Sequence, residues 1–314
     1  MNVHTNIDQL PVFKNAVITI GTFDGVHQGH KQIISQLVKE AHAINGTSVV
    51  ITFDPHPKKI LGDTLNPVSL LNSPAEKYEL LQKAGIGHIV VVPFTKEFAE
   101  QPAQSYIRDF LVAKFRPHTI IIGYDHRFGK DRAGDYHLLE AEALRFGYIV
   151  KEIPEHVLQD VTISSTRIRK ALVSGDIDTA NKFLGYEYFF SGIVTEGNKL
   201  GRTIGYPTAN LSLTDTNKLI PANGVYAVKV WVDGFSETFG GMMNIGTRPT
   251  VDGSKLVIEV NIFDFDEMIY GKKVTVMLLK KLREEVKFSG LEALKEQLGK
   301  DRKDALRILR DEKV

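Results

Sequence analysis

Apolar runs and amphipathic segments alternate along the first 150 residues of the chain. Short runs rich in β-branched residues are typical of strands buried on both faces, and they lie at 16–20, 48–53, 88–92, 119–122 and 148–150. Helical spacing of apolar residues predicts helices at 30–44, 75–84, 103–115 and 136–146. This alternation predicts a doubly wound α/β domain with a parallel sheet, whose ligand binds beyond the carboxyl ends of the strands.

The pattern changes near residue 185. Beyond that point, strand-like runs are separated by glycine turns instead of helices, and they lie at 189–195, 224–232, 256–263 and 273–279. Val232-Asp-Gly-Phe235 is a hairpin signal, and a helical region is expected at 291–309. We therefore predict two domains: an α/β domain at 1–185 and a mainly antiparallel β-barrel with a C-terminal helical region at 186–314.

Composition narrows the function classes. The chain of 314 residues has a net charge of +1, which gives no global field to hold nucleic acid. Cysteine is absent, which excludes disulfides, thiolate metal sites and a cysteine nucleophile. The N-terminal residues lack the basic start and apolar run of a secretory signal, and no stretch approaches the length of a membrane span. We expect a cytoplasmic protein with neither nucleic acid nor membrane as a partner.

A glycine-rich turn with a His-x-Gly-His sequence follows the first apolar strand directly. It is Gly21-Thr-Phe-Asp-Gly-Val-His-Gln-Gly-His30, and the predicted helix starts just after Gly29. Unpaired N–H groups at a helix start bind phosphate, Gly25 and Gly29 let the backbone approach it, and His27 and His30 supply further donors. Two histidines near a turn are more often surface or core residues, but the strand and helix around these favour a phosphate site.

Three further motifs contain polar residues. Asp54-Pro-His-Pro57 follows the second strand, where Pro55 and Pro57 fix φ. Gly123-Tyr-Asp-His-Arg-Phe-Gly129 follows the fourth strand. Ser164-Ser-Thr-Arg-Ile-Arg169 opens a predicted helix at 166–173, which the serines could cap while its N–H groups face phosphate. Alone, that motif is better explained by an ordinary N-cap followed by solvated arginines.

The second half contains another glycine-rich motif. It is Gly197-Asn-Lys-Leu-Gly-Arg-Thr-Ile-Gly-Tyr-Pro-Thr-Ala-Asn210, and glycines at 197, 201 and 205 let backbone cover phosphates closely. The Thr208 hydroxyl and the Asn210 carbonyl are ligands of the kind that Mg²⁺ prefers when it is shared with ATP phosphates. The sequence contains no GxxxxGK[ST] motif.

These motifs, in this order, resemble the family of bifunctional bacterial riboflavin kinase/FMN adenylyltransferases over essentially the full length. The resemblance implies ATP-dependent phosphorylation of riboflavin to FMN, and then adenylylation of FMN to FAD with release of pyrophosphate. It implies Mg²⁺ as cofactor and ATP, riboflavin, FMN and FAD as ligands. FMN is a phosphomonoester with a second pKa of about 6, so its attack on ATP needs no general base. Riboflavin offers an alcohol, about as weak an acid as water with its pKa of about 15.7, and its phosphorylation benefits from a base.

The resemblance also implies residue roles. In the first half, His27 and His30 would act on the ATP phosphates, and the other ATP-binding positions would be Gly21, Phe23, Asp24, Gly25, Gly29, Ser164, Thr166 and Arg167. The proline loop would line the flavin side of the cleft through Pro55, His56 and Pro57. Independently of the resemblance, the loop with Asp125, Arg127 and Phe128 combines a carboxylate, a cation and an aromatic face suited to an adenine or an isoalloxazine, and we assign it to the flavin. In the second half, ATP would contact Gly197, Gly201, Gly205, Thr208 and Asn210, with Thr208 and Asn210 also holding the metal.

Glu259 is the expected base for the kinase step. It lies in a predicted strand with its side chain turned to the cleft, while Ile258 and Val260 point to the opposite face. Without the resemblance, a glutamate exposed on an edge strand would be the better interpretation. Asn261 stands where many relatives carry histidine, and His126 stands where many carry phenylalanine. Arg248, in a predicted loop at 244–250, has no assigned role.

Two other functions fit parts of the sequence. The His-x-Gly-His and Ser-Ser-Thr-Arg-Ile-Arg motifs also mark a wider nucleotidyltransferase superfamily, so the substrate could be another phosphomonoester and the barrel a non-catalytic flavin-binding module. Alternatively, the barrel could bind RNA through Tyr226, Trp231 and Phe235, although strand aromatics are usually core residues. Formation of FAD from riboflavin and ATP separates these functions from the expected one.

Overall fold

The computed structural model describes residues 1–62, 68–153, 163–197, 200–250 and 253–311. It divides into two compact units, Met1–Ser165 and Thr166–Val314. Among the described residues, no helix combines the length and the apolar character that crossing a membrane requires.

The first unit is built on a parallel sheet. In its described residues the strands are β1 (Asn2–His4), β2 (Ala16–Ile20), β3 (Ser48–Asp54), β4 (His88–Pro93), β5 (Pro117–Gly123) and β6 (Ile149–Ile153). Their order is β1-β4-β3-β2-β5-β6. The order reverses between β2 and β5, which places the loops after these two strands side by side at the carboxyl edge. The predicted doubly wound fold is confirmed; the short edge strand β1, paired with β4, was not predicted.

Helices cover both faces of this sheet. They are Gln28–Ala43, Pro57–Leu61, Pro74–Lys83, Lys96–Ala99, Ala103–Ser105 continuing as a π-helical segment Tyr106–Phe115, and Tyr136–Phe146, with a 3₁₀ turn at Lys130–Arg132. Successive residues of a strand pack into apolar clusters on opposite faces of the sheet. Ile18 and Ile51 belong to the cluster on one face, and Val17 and Val50 belong to the cluster on the other. Burial on both faces explains why these strands are continuously apolar.

The second unit is a closed antiparallel barrel with flanking helices. Its described strands are β7 (Phe189–Thr195), β8 (Ala209–Leu213), β9 (Gly224–Val232), β10 (Thr238–Thr250), β11 (Gly253–Ile262) and β12 (Lys273–Arg283), in the order β10-β11-β8-β7-β12-β9. The described helices are Ser165–Ser174, which begins at the division between the units, Ile177–Leu184, Leu200–Thr203 and Leu291–Asp311. The predicted barrel is confirmed, but residues 244–250 belong to β10 and do not form the expected loop.

The helix Ile177–Leu184 packs with the barrel. Asn181 donates from Nδ2 to the Leu278 carbonyl at 2.8 Å, and its Oδ1 accepts from the Tyr188 N–H at 2.7 Å. The structure therefore groups this helix with the second unit. A domain boundary at Gly185 stays a prediction.

The helix Leu291–Asp311 closes one side of the barrel. Its Ala305 and Leu309 pack with Ala227, Met242 and Phe263 in one apolar cluster. A bidentate ion pair joins the helix to β12: the Asp301 carboxylate accepts from Arg283 Nε at 2.9 Å and from Arg283 Nη2 at 2.7 Å. Gln297 donates to the same carboxylate at 2.9 Å, which leaves Asp301 almost fully buried and well bonded.

Candidate active sites

The turn after β2 brings two histidines to a helix start. Phe23, Gly25 and Val26 have φ values of 48°, 89° and 34°, a run of left-handed backbone that only the glycine adopts without strain. The helix begins at Gln28, two residues before the prediction, because His27 serves as its N-cap. The His27 Nδ1 atom accepts from the His30 N–H at 3.4 Å. The turn therefore connects the end of β2 directly to the N-terminus of a helix.

The two imidazoles stack on each other. Their centroids are 3.7 Å apart with an interplanar angle of 15°. Because His27 Nδ1 accepts the bond from the His30 N–H, the donor nitrogen of the His27 ring is Nε2. Burial, and then the charges of His27 and Lys77, hold the pKa of His30 well below its usual value, so this ring is neutral at pH 7. The His30 Nδ1 atom is shielded from solvent and has no hydrogen-bond partner in the described part of the chain, which suits a bound polar group.

The two glycines flanking the histidine turn lie in tight surroundings. A Cβ on Gly29 would lie 3.3 Å from the His27 ring, and a Cβ on Gly21 would lie 3.1 Å from the Phe23 ring. Asp24 has a structural task, since its Oδ1 accepts from Leu71 N–H at 2.8 Å and its carbonyl accepts from the Ser165 hydroxyl at 2.9 Å. The ATP-binding role of Asp24 stays a prediction.

Lys77 lies next to this turn and was missed by the sequence analysis. Its Nζ donates to Thr52 Oγ1 at 3.0 Å and to the Thr22 carbonyl at 3.4 Å. Burial lowers its pKa to about 8, although Asp24 and Asp54 act in the opposite direction. The sequence feature that could have identified Lys77 is its position four residues before the buried Leu81, on the same face of the helix.

The proline loop after β3 is shaped by local bonds. The Asp54–Pro55 peptide is cis. His56 caps the helix Pro57–Leu61, with its Nδ1 accepting from the Lys58 N–H at 3.1 Å. His56 and Pro57 are half-buried and Pro55 is exposed at the carboxyl edge of the sheet. Their contact with flavin stays a prediction.

The loop after β5 divides its predicted flavin residues among different environments. Phe128 is 6% exposed and stacks on Tyr106 with centroids 5.0 Å apart, so it is part of the core. Arg127 pairs with Asp135 at 2.6 Å, and Asp125 is exposed. Burial lowers the pKa of His126 to about 4.

The Ser-Ser-Thr-Arg-Ile-Arg motif spans the division between the two units. Ser164 precedes the helix, which starts at Ser165. Thr166 and Arg167 belong to the second unit, where the Arg167 guanidinium lies 5.6 Å from the centroid of the Phe183 ring. The ATP-binding roles of Ser164, Thr166 and Arg167 stay predictions.

A row of polar side chains crosses the outside of the barrel. Glu259 on β11 pairs in register with Asn210 on β8 and with Asn244 on β10. Directly paired residues in a sheet share a face, so these three side chains are neighbours. Ile258 and Val260 are buried, and the half-buried Glu259 lies on the opposite face, as expected.

The glycine-rich motif wraps closely over this row. A Cβ on Gly197 would lie 2.0 Å from Asn210 Nδ2, and one on Gly201 would lie 2.2 Å from the Tyr206 carbonyl oxygen. Gly205 has a φ of 85°. Asn261 Nδ2 donates to the Pro207 carbonyl at 2.7 Å, which ties the Pro-Thr-Ala-Asn segment to β11. Asn198 and Lys199 of the motif lie outside the described residues.

The donor set at this row suits a shared divalent cation. Thr208 is exposed, the Asn210 amide is half-buried, and the Glu259 carboxylate is its cross-strand neighbour. Mg²⁺ usually takes only one or two protein ligands together with substrate phosphates and waters. Among the described residues there is no group of three or more His, Asp or Glu side chains that could hold a metal by themselves. The residues therefore fit a metal that arrives with a nucleotide.

Arg248, which had no assigned role, is held by an acidic partner. Its Nη1 donates to Glu285 Oε1 at 2.6 Å. Asn244 Nδ2 lies 3.5 Å from the same oxygen, which connects the Asn210–Glu259–Asn244 row to this ion pair. Arg248 is exposed near the end of β10, and the half-buried Glu285 follows β12.

A doubly wound domain with stacked histidines at a helix start, together with a barrel carrying a glycine loop over a carboxylate, is typical of an ATP-using transferase. The comparisons agree. The FAD synthetase family model matches residues 10–167, and the riboflavin kinase family model matches residues 184–309. The chain belongs to the family of bifunctional riboflavin kinase/FMN adenylyltransferases.

Full-length relatives carry the same name. The Haemophilus influenzae bifunctional riboflavin kinase/FMN adenylyltransferase is 39% identical over 92% of this chain and 93% of its own length. Those of Escherichia coli K12 and Bacillus subtilis are 37% and 36% identical, over 94% and 93% of this chain and 93% and 92% of their own lengths. A crystal structure from Streptococcus pneumoniae, described as a macrolide-efflux protein, superposes with a TM-score of 0.85 at 33% identity, over 96% of this chain and 97% of that one. The predicted family and its two activities are confirmed.

Proposed function

We propose that the riboflavin kinase site is the Asn210–Glu259–Asn244 row and that the FMN adenylyltransferase site is the His27–His30 turn. The observation that supports this assignment is the chemical difference between the two donor sets. One unit offers neutral imidazole donors at a helix start, and the other offers a carboxylate beside amide and hydroxyl oxygens. An ionised nucleophile needs the first set and an alcohol needs the second. Because both reactions use ATP, we also propose a cytoplasmic location.

At the histidine turn, an FMN phosphate oxygen attacks the α-phosphorus of ATP. The new P–O bond forms as the bond between the α-phosphorus and the oxygen bridging to the β-phosphorus breaks, and pyrophosphate leaves. No proton has to be removed, so the protein positions the reactants and stabilises charge. His27 and His30 donate hydrogen bonds to phosphate oxygens, and the backbone N–H groups at Gln28 and Gly29 face the same charge. Gly21, Phe23, Gly25 and Gly29 shape this turn.

At the barrel row, Glu259 accepts the proton of the riboflavin primary alcohol. The alcohol oxygen attacks the γ-phosphorus of ATP, the bond to the β–γ bridging oxygen breaks, and ADP leaves. Gly197, Gly201 and Gly205 let the backbone cover the phosphates. Thr208 and Asn210 would hold Mg²⁺, which when bound neutralises charge on the phosphate oxygens.

Two substitutions test the assignment in the full chain. Glu259→Ala should stop FMN formation from riboflavin and ATP while FAD still forms from supplied FMN. His30→Ala should do the reverse and accumulate FMN. Both products are separated by chromatography and detected by flavin absorbance. Loss of both activities from either variant, with the melting temperature unchanged, would contradict the two-site assignment.

A further inference from the structure

Lys77 is a half-buried cation whose hydrogen bonds go to neutral oxygens. Its Nζ donates to Thr52 Oγ1 and to the Thr22 carbonyl, and no described carboxylate forms an ion pair with it. The nearest acidic groups are engaged elsewhere or turned to solvent: Asp24 accepts from backbone N–H groups, and Asp54 is exposed at the end of β3. Removing a charge from water without pairing it destabilises a protein, which makes such a group a candidate for binding a ligand.

The ammonium belongs to the same electrostatic environment as the histidine pair. The charge of Lys77 is one cause of the lowered pKa of His30, which places the two groups within electrostatic reach of each other. Thr22 is part of the turn after β2, and Thr52 lies in β3, the strand adjacent to β2. Lys77 therefore reaches the carboxyl edge of the sheet, beside the turn that carries His27 and His30.

We propose that Lys77 binds a phosphate oxyanion of a substrate at the adenylyltransferase site, a role that rests on the function proposed for that site. The bound oxygen belongs either to the ATP polyphosphate or to the monoester of FMN. No bond to Lys77 forms or breaks, and its contribution is charge and N–H donors. A bound phosphate would form with Lys77 the ion pair that the free protein lacks. Such a contact contributes to binding because charge-assisted hydrogen bonds are about twice as strong as neutral ones.

A purely structural role makes a different prediction. If Lys77 only joined the turn to β3 through Thr22 and Thr52, its removal would lower stability, and activity would fall because the site loosens. If its role is to bind an anion, replacing an unpaired, desolvated cation with an apolar side chain relieves an unfavourable charge, so the melting temperature stays the same or rises. Adenylylation should then fall without a fall in the melting temperature.

The test compares Lys77→Met and Lys77→Arg with a matched control, Lys83→Met. Lys83 lies on the same helix but is exposed and pairs with Glu79. FMN adenylylation is measured with FMN and ATP varied independently, and riboflavin phosphorylation by the same preparation reports on the second unit. We expect kcat/KM for adenylylation to fall about 10- to 100-fold in Lys77→Met, to recover partly in Lys77→Arg and to stay unchanged in Lys83→Met. A rise confined to the KM for ATP assigns the polyphosphate, and one confined to the KM for FMN assigns the monoester.

The pH profile gives a second readout. The titratable groups around Lys77 are Asp24, Asp54 and His30, together with Tyr78, whose ring centroid lies 5.9 Å from Nζ. Lys77 is cationic below its pKa of about 8 and neutral above it, so kcat/KM of the wild type should decline above pH 8. An arginine stays charged, so Lys77→Arg should shift that decline to higher pH.

Three results would overturn the proposal while the wild type forms FAD. They are adenylylation by Lys77→Met within twofold of wild type, a melting temperature that falls together with its activity, and a Lys77→Arg profile that still declines at pH 8. If Lys77→Met does not fold, the Lys77→Arg profile decides. Failure of the wild type to form FAD would instead refute the adenylyltransferase function.

Discussion

Breaking the ion pair between Arg283 and Asp301 should destabilise the barrel selectively. The Asp301 side chain is 3% exposed and that of Arg283 is 19% exposed, so Asp301→Ala leaves a largely buried, uncompensated guanidinium. Such a change costs about 3–5 kcal/mol. Arg283 keeps a bond to the Glu284 carbonyl at 2.9 Å and some access to water, so we expect the lower end, about 3 kcal/mol. For a unit of this size, that corresponds to a fall in melting temperature of roughly 6–12 °C.

The assay is thermal inactivation of both activities in one preparation of the full chain. Riboflavin phosphorylation by Asp301→Ala should be lost at a temperature lower than in the wild type, while FMN adenylylation keeps its wild-type midpoint. The double variant Arg283→Met with Asp301→Leu removes both charges and should recover most of the loss. A shift of less than 2 °C in Asp301→Ala, or an equal shift for both activities, would refute this reasoning.

Further variants test other contacts. Gly197→Ala would bring a Cβ to 2.0 Å from Asn210 Nδ2, so kinase kcat/KM should fall at least about 10-fold while adenylylation stays within twofold. Asn261→Ala removes the bond to the Pro207 carbonyl and should cost about 1–3 kcal/mol in chemical denaturation, with weaker phosphorylation. The pKa of His30 is lower in the folded state than in the unfolded state, so stability should fall as pH drops below 6.5; His30→Gln should show less loss of melting temperature between pH 7.5 and pH 5.

Elements with a strong local signal were predictable from sequence. The β-branched runs at 16–20 and 48–53 have no alternative to a doubly buried strand, and they predicted the parallel sheet. The edge strand Asn2–His4 is too short and too polar to carry a pattern, and it forms only because β4 offers an unpaired edge. The helix start at Gln28 depends on the ring of His27 reaching the His30 N–H, and no propensity encodes that contact.

For the two candidate sites, the sequence predicted which motifs contain polar residues. It did not predict which residues from different strands become neighbours. The pairing of Glu259 with Asn210 and Asn244 follows from the barrel register, which the sequence does not specify. Phe128 was expected at the flavin because it lies in a polar loop, but the structure buries it against Tyr106. Its flavin role would require this packing to change, whereas Asp125 is already at the surface.

If the proposed adenylyltransferase site is the His27–His30 turn, a small positive field holds a highly charged ligand there. A polyphosphate needs several donors, yet each fixed, desolvated cation destabilises the empty site. His27 and His30 stack closely enough that a charge on one opposes a charge on the other, and His30 stays neutral. Among the described residues, this turn thus combines a neutral His30, a helix start and the ammonium of Lys77. Incoming phosphate would raise the pKa of both Lys77 and His30, so positive charge accumulates only where an anion is present to pair with it.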